Sequence, residues 1–182
     1  MKHDADTEIQ FSGLKSGVYH YDFTLDDSFF STYKNEKILH AAVVYAVQLD
    51  KKEGMLLFRF DFQGTVTTQC DRCLAEVDIP VEGSNELCVK FSDTETSEEE
   101  DLVYLPVNES RIDLAQWMYE YVAVSLPIQC VHPDGDDGEP TCDPEMIGRL
   151  RSMQATEDSG NAEKEMDPRW NALAQLKTEN KQ

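Results

Sequence analysis

The chain has 182 residues, enough for one domain with tails, and no run of the roughly 18 apolar residues that a membrane-spanning helix needs. Its 36 acidic and 16 basic residues give a formal net charge of -20. This charge repels nucleic-acid phosphates and disfavours broad binding to RNA or DNA, although a local basic surface could still touch RNA. A basic protein partner suits the overall charge better.

The N-terminal sequence MKHDADTEIQ is acidic and polar, and it lacks the basic-then-apolar layout of a secretory signal. We therefore expect a cytoplasmic protein. Structural disulfides are rare in that reducing compartment, so the five cysteines need another explanation. Packed thiols are the simplest one, because cysteine is often buried in protein cores.

Period-two alternation predicts β-strands in the first part of the chain. Two short strands are expected around Gly17, and the second carries apolar residues at alternate positions: Tyr19, Tyr21, Phe23 and Leu25. Asp26 is a typical N-cap for a short helix, and we expect its Phe29 and Phe30 in the core.

A long hairpin is predicted next, with a glycine-containing turn at residues 51–54. The alternating residues of its first arm are Leu39, Ala41, Val43, Tyr45, Val47 and Leu49. In the second arm Phe58, Phe60 and Phe62 share one face, and Gly64 is expected at a bulge or a close approach of two backbones. Another strand follows the turn after residue 73, with Cys88 as a structural thiol.

The later part of the chain contains a predicted mobile acidic loop at residues 92–101 and then a short edge strand, LVYLPV. The best helix runs from Asp113 to Ser125 and ends before Pro127. We expect a main domain over residues 1–152, a flexible acidic linker at 153–166, and a short C-terminal helix with a tail at 167–182.

The stretch QCDRCLAEV holds Cys70 and Cys73 as a Cys-x-x-Cys pair. The pair could be a redox couple, half of a metal site, or packed thiols. Redox pairs of the thioredoxin kind open a helix, whereas this pair joins one predicted strand to another. A structural zinc site needs four ligands, and Cys130 and Cys142 could supply the other half, with His132 as a competing ligand.

The chain carries no motif of a known catalytic type. A phosphate-binding loop, a dinucleotide fingerprint and a zinc-protease helix motif are all missing from the sequence. The serine, histidine and aspartate residues follow no order that indicates a catalytic triad. We therefore predict neither an enzyme activity nor a small-molecule substrate.

Three segments together resemble the YceD family of large ribosomal RNA subunit accumulation proteins. They are CDRCL after the strand FQGTVTTQ, the helix end SLPIQCVHP, and the closing DPRWNALAQLK. The resemblance implies a non-enzymatic role in large-subunit ribosome biogenesis that supports 23S rRNA synthesis, processing or stability. It also implies large-subunit rRNA or a basic ribosomal or assembly protein as the partner.

The resemblance carries over to individual cysteines. Cys70 and Cys73 match the first pair of the family, and Cys130 matches the cysteine after the helix end. Cys142 lies where many members have GLCPxCG, but this chain reads EPTCDPEM and lacks the second cysteine.

We therefore expect an α+β protein that is mostly β, a twisted antiparallel sheet or open barrel with one packed helix. Cys70, Cys73, Cys130 and Cys142 are expected to hold a structural zinc ion that ties the helix end to the sheet. A thiol redox protein that uses Cys70 and Cys73 is the alternative function.

Overall fold

A computed structural model describes residues 7–92, 102–136 and 138–153. In chain order its elements are β1 (Glu8–Gln10), β2 (Gly17–Leu25), α1 (Asp27–Ser31), β3 (His40–Lys52), β4 (Met55–Gln69), β5 (Glu76–Phe91), β6 (Leu102–Leu105), β7 (Arg111–Asp113), α2 (Ala115–Ser125) and α3 (Pro144–Met153). The protein is mostly β, with a sheet packed against a helix, as the sequence predicted.

The main sheet has the strand order β2-β3-β4-β5-β6. Strands β2 to β5 pair antiparallel as a meander, and β6 lies at the edge beside β5 in the parallel direction. The edge position of β6 agrees with the short edge strand that the sequence predicts here. Strand β1 lies outside the main sheet and pairs antiparallel with β7 in a separate two-stranded sheet.

The alternating residues of the hairpin cover one face of the main sheet and build the core. Ala41 to Leu49 and Phe58 to Phe62 are buried at every second position, which confirms the predicted hairpin. Leu39 departs from the pattern, since it precedes β3 and is 42% exposed. Asp26 caps α1 by accepting hydrogen bonds from two backbone N–H groups, and both phenylalanines of α1 are buried, as expected.

Helix α2 packs on the buried face of the sheet. Met118 and Val122 are fully buried, and the Tyr45 hydroxyl donates a hydrogen bond of 2.6 Å to the Met118 carbonyl. The helix begins later than predicted, because Asp113 belongs to β7. The Asp113 carboxylate accepts hydrogen bonds from the Thr7 hydroxyl and from the Ala115 backbone N–H.

The chain divides into two compact units, Met1–Ile147 and Gly148–Gln182, and the boundary falls within α3, a helix that was not predicted. The expected acidic loop beyond Ser92, the linker beyond Met153 and the C-terminal helix lie outside the described residues. Among the helices that are described, none is long and apolar enough to span a bilayer.

Gly64 lies at the close approach that its position predicted. An added Cβ atom would clash with the Ala42 carbonyl oxygen and lie 2.7 Å from the Val43 Cα atom. We expect Gly64→Ala to lower the free energy of unfolding by about 2 kcal/mol, because backbone must move to admit the methyl group. Gly13→Ala is the control, since nothing lies within 4 Å of its Cβ position. Urea titrations with equal losses in the two variants would contradict this interpretation.

Candidate metal centre

Cys70 and Cys73 lie in the tight turn that joins β4 to β5. The Cys70 backbone N–H donates to the Ala75 carbonyl at 2.8 Å, and the Leu74 N–H donates to the Cys70 carbonyl at 2.9 Å. The Arg72 backbone N–H points at the Cys70 sulfur, 3.4 Å away. Backbone hydrogen bonds therefore hold the cysteine pair directly after the last residue pair of β4 and β5.

Four side chains converge at this turn: Cys70, Cys73, His132 and Cys142, with ligand atoms all within 4.8 Å of one another. The sulfurs of Cys70 and Cys142 are 3.9 Å apart, and His132 Nδ1 lies 3.4 Å from the Cys73 sulfur and 3.8 Å from that of Cys142. In a tetrahedron with Zn–S near 2.3 Å and Zn–N near 2.0 Å, ligand atoms are about 3.5 to 3.8 Å apart. The cluster could therefore hold a metal ion.

The His132 ring is oriented for this role by its second nitrogen. Nε2 lies 3.0 Å from the Glu76 carbonyl oxygen at the start of β5. A carbonyl oxygen only accepts hydrogen bonds, so Nε2 carries a proton, and in the neutral ring Nδ1 then has the lone pair. That lone pair faces the sulfurs, in the arrangement that metal-binding histidines commonly show.

The electrostatics of the cluster favour a thiolate at Cys70. Burial by itself raises the pKa of this thiol, but hydrogen bonds from the backbone N–H groups of Cys73, Arg72 and His132 outweigh it and lower the pKa to about 6. Burial and the two neighbouring thiols raise the pKa of Cys142. A bound cation would relieve the repulsion between thiolates, since metal ligation deprotonates a thiol.

Arg72 adds a positive charge beside the cluster. Its Nη1 atom lies 4.0 Å from the Cys142 sulfur and 3.8 Å from an Asp134 carboxylate oxygen. Three thiolates around a divalent ion leave one net negative charge, which a guanidinium can partly balance. The structure thus places the Arg72 guanidinium against the site.

The structure brings three of the four predicted cysteines together and leaves Cys130 outside. The Cys130 thiol points at the Pro127 carbonyl oxygen, 3.6 Å away. Two hydrogen bonds join Cys130 to Asp71. The Cys130 backbone N–H donates to the Asp71 carboxylate at 2.7 Å, and the Asp71 backbone N–H donates to the Cys130 carbonyl oxygen at 2.7 Å. Cys130 therefore anchors the turn by its backbone, and His132 lies where a fourth sulfur was expected.

A small apolar cluster surrounds the donors, separate from the main core. Val77 of β5 packs there with two partly buried residues of α3, Met146 and Ile147. Cys142 lies two residues before the start of this helix, and the Asp143 carboxylate accepts a 2.9 Å hydrogen bond from the Glu145 backbone N–H in its first turn. Helix α3 was not predicted as a contributor to the site. Cys88 pairs with Leu57 inside the sheet and does not join the cluster.

The fold and the cluster define a class: a β-sheet protein with a closed set of four cysteine and histidine donors. The family model of YceD, described as large ribosomal RNA subunit accumulation protein, matches residues 58–177, about two thirds of the chain. The chain belongs to this family, which confirms the resemblance found in its sequence. The match includes all four donors. No curated protein and no solved structure gives a significant match.

Leu74, directly after Cys73, has a φ of 64° and a side chain that is 59% exposed. The left-handed conformation costs a residue with a Cβ atom about 1–2 kcal/mol, and glycine avoids that cost. We expect Leu74→Gly to raise the free energy of unfolding by about 0.5 kcal/mol in urea titrations, after the entropy of glycine is deducted. The control Leu39→Gly lacks a positive φ and should lose stability. A loss of stability in both would contradict strain at Leu74.

Proposed function

We propose that this protein is a non-enzymatic factor of large-subunit ribosome biogenesis, which supports the synthesis, processing or stability of 23S rRNA. The observation that carries the proposal is the family match over residues 58–177. The family description names the accumulation of large-subunit rRNA. The non-enzymatic mode of action and the cytoplasmic location are part of the proposal.

The partner is proposed to be large-subunit rRNA or a basic ribosomal or assembly protein. The net charge of -20 favours the basic protein as the direct partner, because long-range repulsion opposes the approach of an RNA backbone. Ribosome assembly brings many basic surfaces together with rRNA, so a strongly acidic factor can act through a protein that itself holds the RNA.

The cluster is proposed to hold a structural zinc ion through Cys70, Cys73, His132 and Cys142. Three sulfurs and one imidazole fill a zinc tetrahedron and leave no open position for a substrate, which is typical of structural sites. Two donors come from the turn after β4 and two from the segment before α3. The ion would therefore hold that segment on the sheet, where few apolar residues are available to do so.

The ligand set can be tested by metal analysis of purified variants. We expect about one zinc ion per chain, and His132→Ala should weaken zinc binding at least tenfold, because only three donors remain. Cys130→Ser should keep its zinc, since that thiol lies outside the cluster. Elemental analysis measures the zinc content of each variant, and chelator competition measures its zinc affinity.

His132→Cys is the control for folding, because it restores four donors and should keep the metal. Loss of zinc in Cys130→Ser with retention in His132→Ala would instead support Cys130 as the fourth ligand. A metal-free protein with an unchanged melting profile would contradict a structural ion.

The redox alternative has one observation in its favour, the lowered pKa of Cys70. A metal ligand benefits from the same shift, because the thiolate is the form that binds. Cys70 is fully buried and Cys73 is 4% exposed, and the pair lies between two strands and not at a helix N-terminus. Rapid alkylation of Cys70 at mildly acidic pH in the zinc-loaded protein would favour redox chemistry, whereas protection favours the structural ion.

The cellular role can be tested by depletion. Cells depleted of this protein should contain less 23S rRNA relative to 16S rRNA and fewer free large subunits, because the proposed role concerns only the large subunit. Sucrose-gradient profiles and quantification of both rRNAs measure this. Restored expression of the wild-type chain is the control. An unchanged ratio of the two rRNAs would remove the proposal.

A further inference from the structure

An open trough runs along the outward face of the main sheet, away from the core. It consists of three adjoining cavities with volumes of ≈ 540, ≈ 600 and ≈ 760 Å³. The first two share Val44, Gln63 and Glu82, and the second and third share Ala42 and Thr65. We call this surface the sheet trough.

The floor of the sheet trough is made of small side chains. Ala42, Val44 and Ala46 occupy three successive outward positions of β3, and Val44 is 46% exposed. The facing residues on β4 are Thr65, Gln63 and Asp61. Polar side chains normally cover the solvent face of an antiparallel sheet. Three short apolar residues in a row instead leave a depression with an apolar base.

Carboxylates line the sheet trough on its sides. Those among the lining residues are Asp26, Asp27, Asp61, Asp78 and Glu82. The one basic lining residue in this described surface is His40, which pairs with Asp27 at 3.0 Å. Arg59, just outside, lies 3.8 Å from Asp61. Acidic groups therefore outnumber basic ones around an apolar floor.

We propose that the sheet trough binds an extended segment of a partner protein that is rich in lysine and arginine. The inference rests on the proposed function and specifies its partner. Lysine and arginine have apolar stems that pack on a floor such as Val44, while their charged ends reach carboxylates at the sides. From His40 to Ala46 the floor follows β3 for about 20 Å, the length of an extended segment of about six residues. The phosphates of RNA would be repelled by the same carboxylates.

The test uses a fluorescein-labelled peptide of about twelve residues with lysine or arginine at alternate positions, long enough to cover the trough. Fluorescence anisotropy should show binding that weakens as salt rises, because exposed charges are screened. The double variant Asp61→Asn with Glu82→Gln should bind about fivefold more weakly, from two lost surface charge pairs. Val44→Arg should weaken binding at least as much, because it fills the floor and adds a positive charge.

The matched control is Glu53→Gln with Glu109→Gln, which changes the net charge equally at positions outside the sheet trough. Equal weakening in this control would show general charge attraction and overturn the proposal. A labelled oligouridine that binds as tightly as the peptide, with the same loss in Val44→Arg, would overturn it in favour of RNA. Unchanged zinc content and melting temperature verify that each variant is folded.

The cellular readout separates this proposal from the proposed function. A chain with the double change at Asp61 and Glu82 should support less 23S rRNA than wild type when it replaces the wild-type chain. Normal 23S rRNA in that strain, together with weakened peptide binding, would overturn the sheet trough as the partner site. The proposed function is judged independently, by the loss of the whole protein.

Discussion

Strands β4 and β5 pair antiparallel from Met55 opposite Lys90 to Gln69 opposite Glu76. Because side chains alternate between faces, a slip of one residue would turn the buried phenylalanines toward solvent and the carboxylates toward the core. The same pairing ends at the turn that carries the first cysteine pair, so it also places the cluster of cysteine and histidine donors. Gly64 permits a close backbone contact between β4 and β3.

The cluster of cysteine and histidine donors joins this sheet to a part of the chain that has little core of its own. Val77, Met146 and Ile147 supply only a small apolar cluster. The paired hydrogen bonds between Asp71 and Cys130 fix one end of the segment after α2, and His132 and Cys142 lie against the cysteine turn in its later part. Smaller units bury a smaller fraction of their surface on folding, and in such units a bound metal commonly supplies the missing stability.

Alternation along long strands made most of the sheet predictable, since burial of one face forces a period of two. The pairing of β1 with β7 was not predictable, because three-residue strands are too short to show a period. The parallel direction of β6 likewise has no local pattern. The spacing between His132 and Cys142 matches no standard metal-binding motif. The presence of His132 in the cluster, in place of Cys130, depends on the hydrogen bonds between Cys130 and Asp71, which only the folded turn reveals.

The acidic outward face is compatible with a stable sheet because of its register. Like charges directly opposite one another on neighbouring strands are destabilising. Between β4 and β5, Asp61 lies opposite Ser84, Glu82 opposite Gln63, and Asp78 opposite Thr67. Each carboxylate thus has a neutral cross-strand neighbour, which limits repulsion but does not neutralise the charge. The register that places the cysteine turn therefore also leaves a row of carboxylates whose charge a basic segment from another molecule can balance.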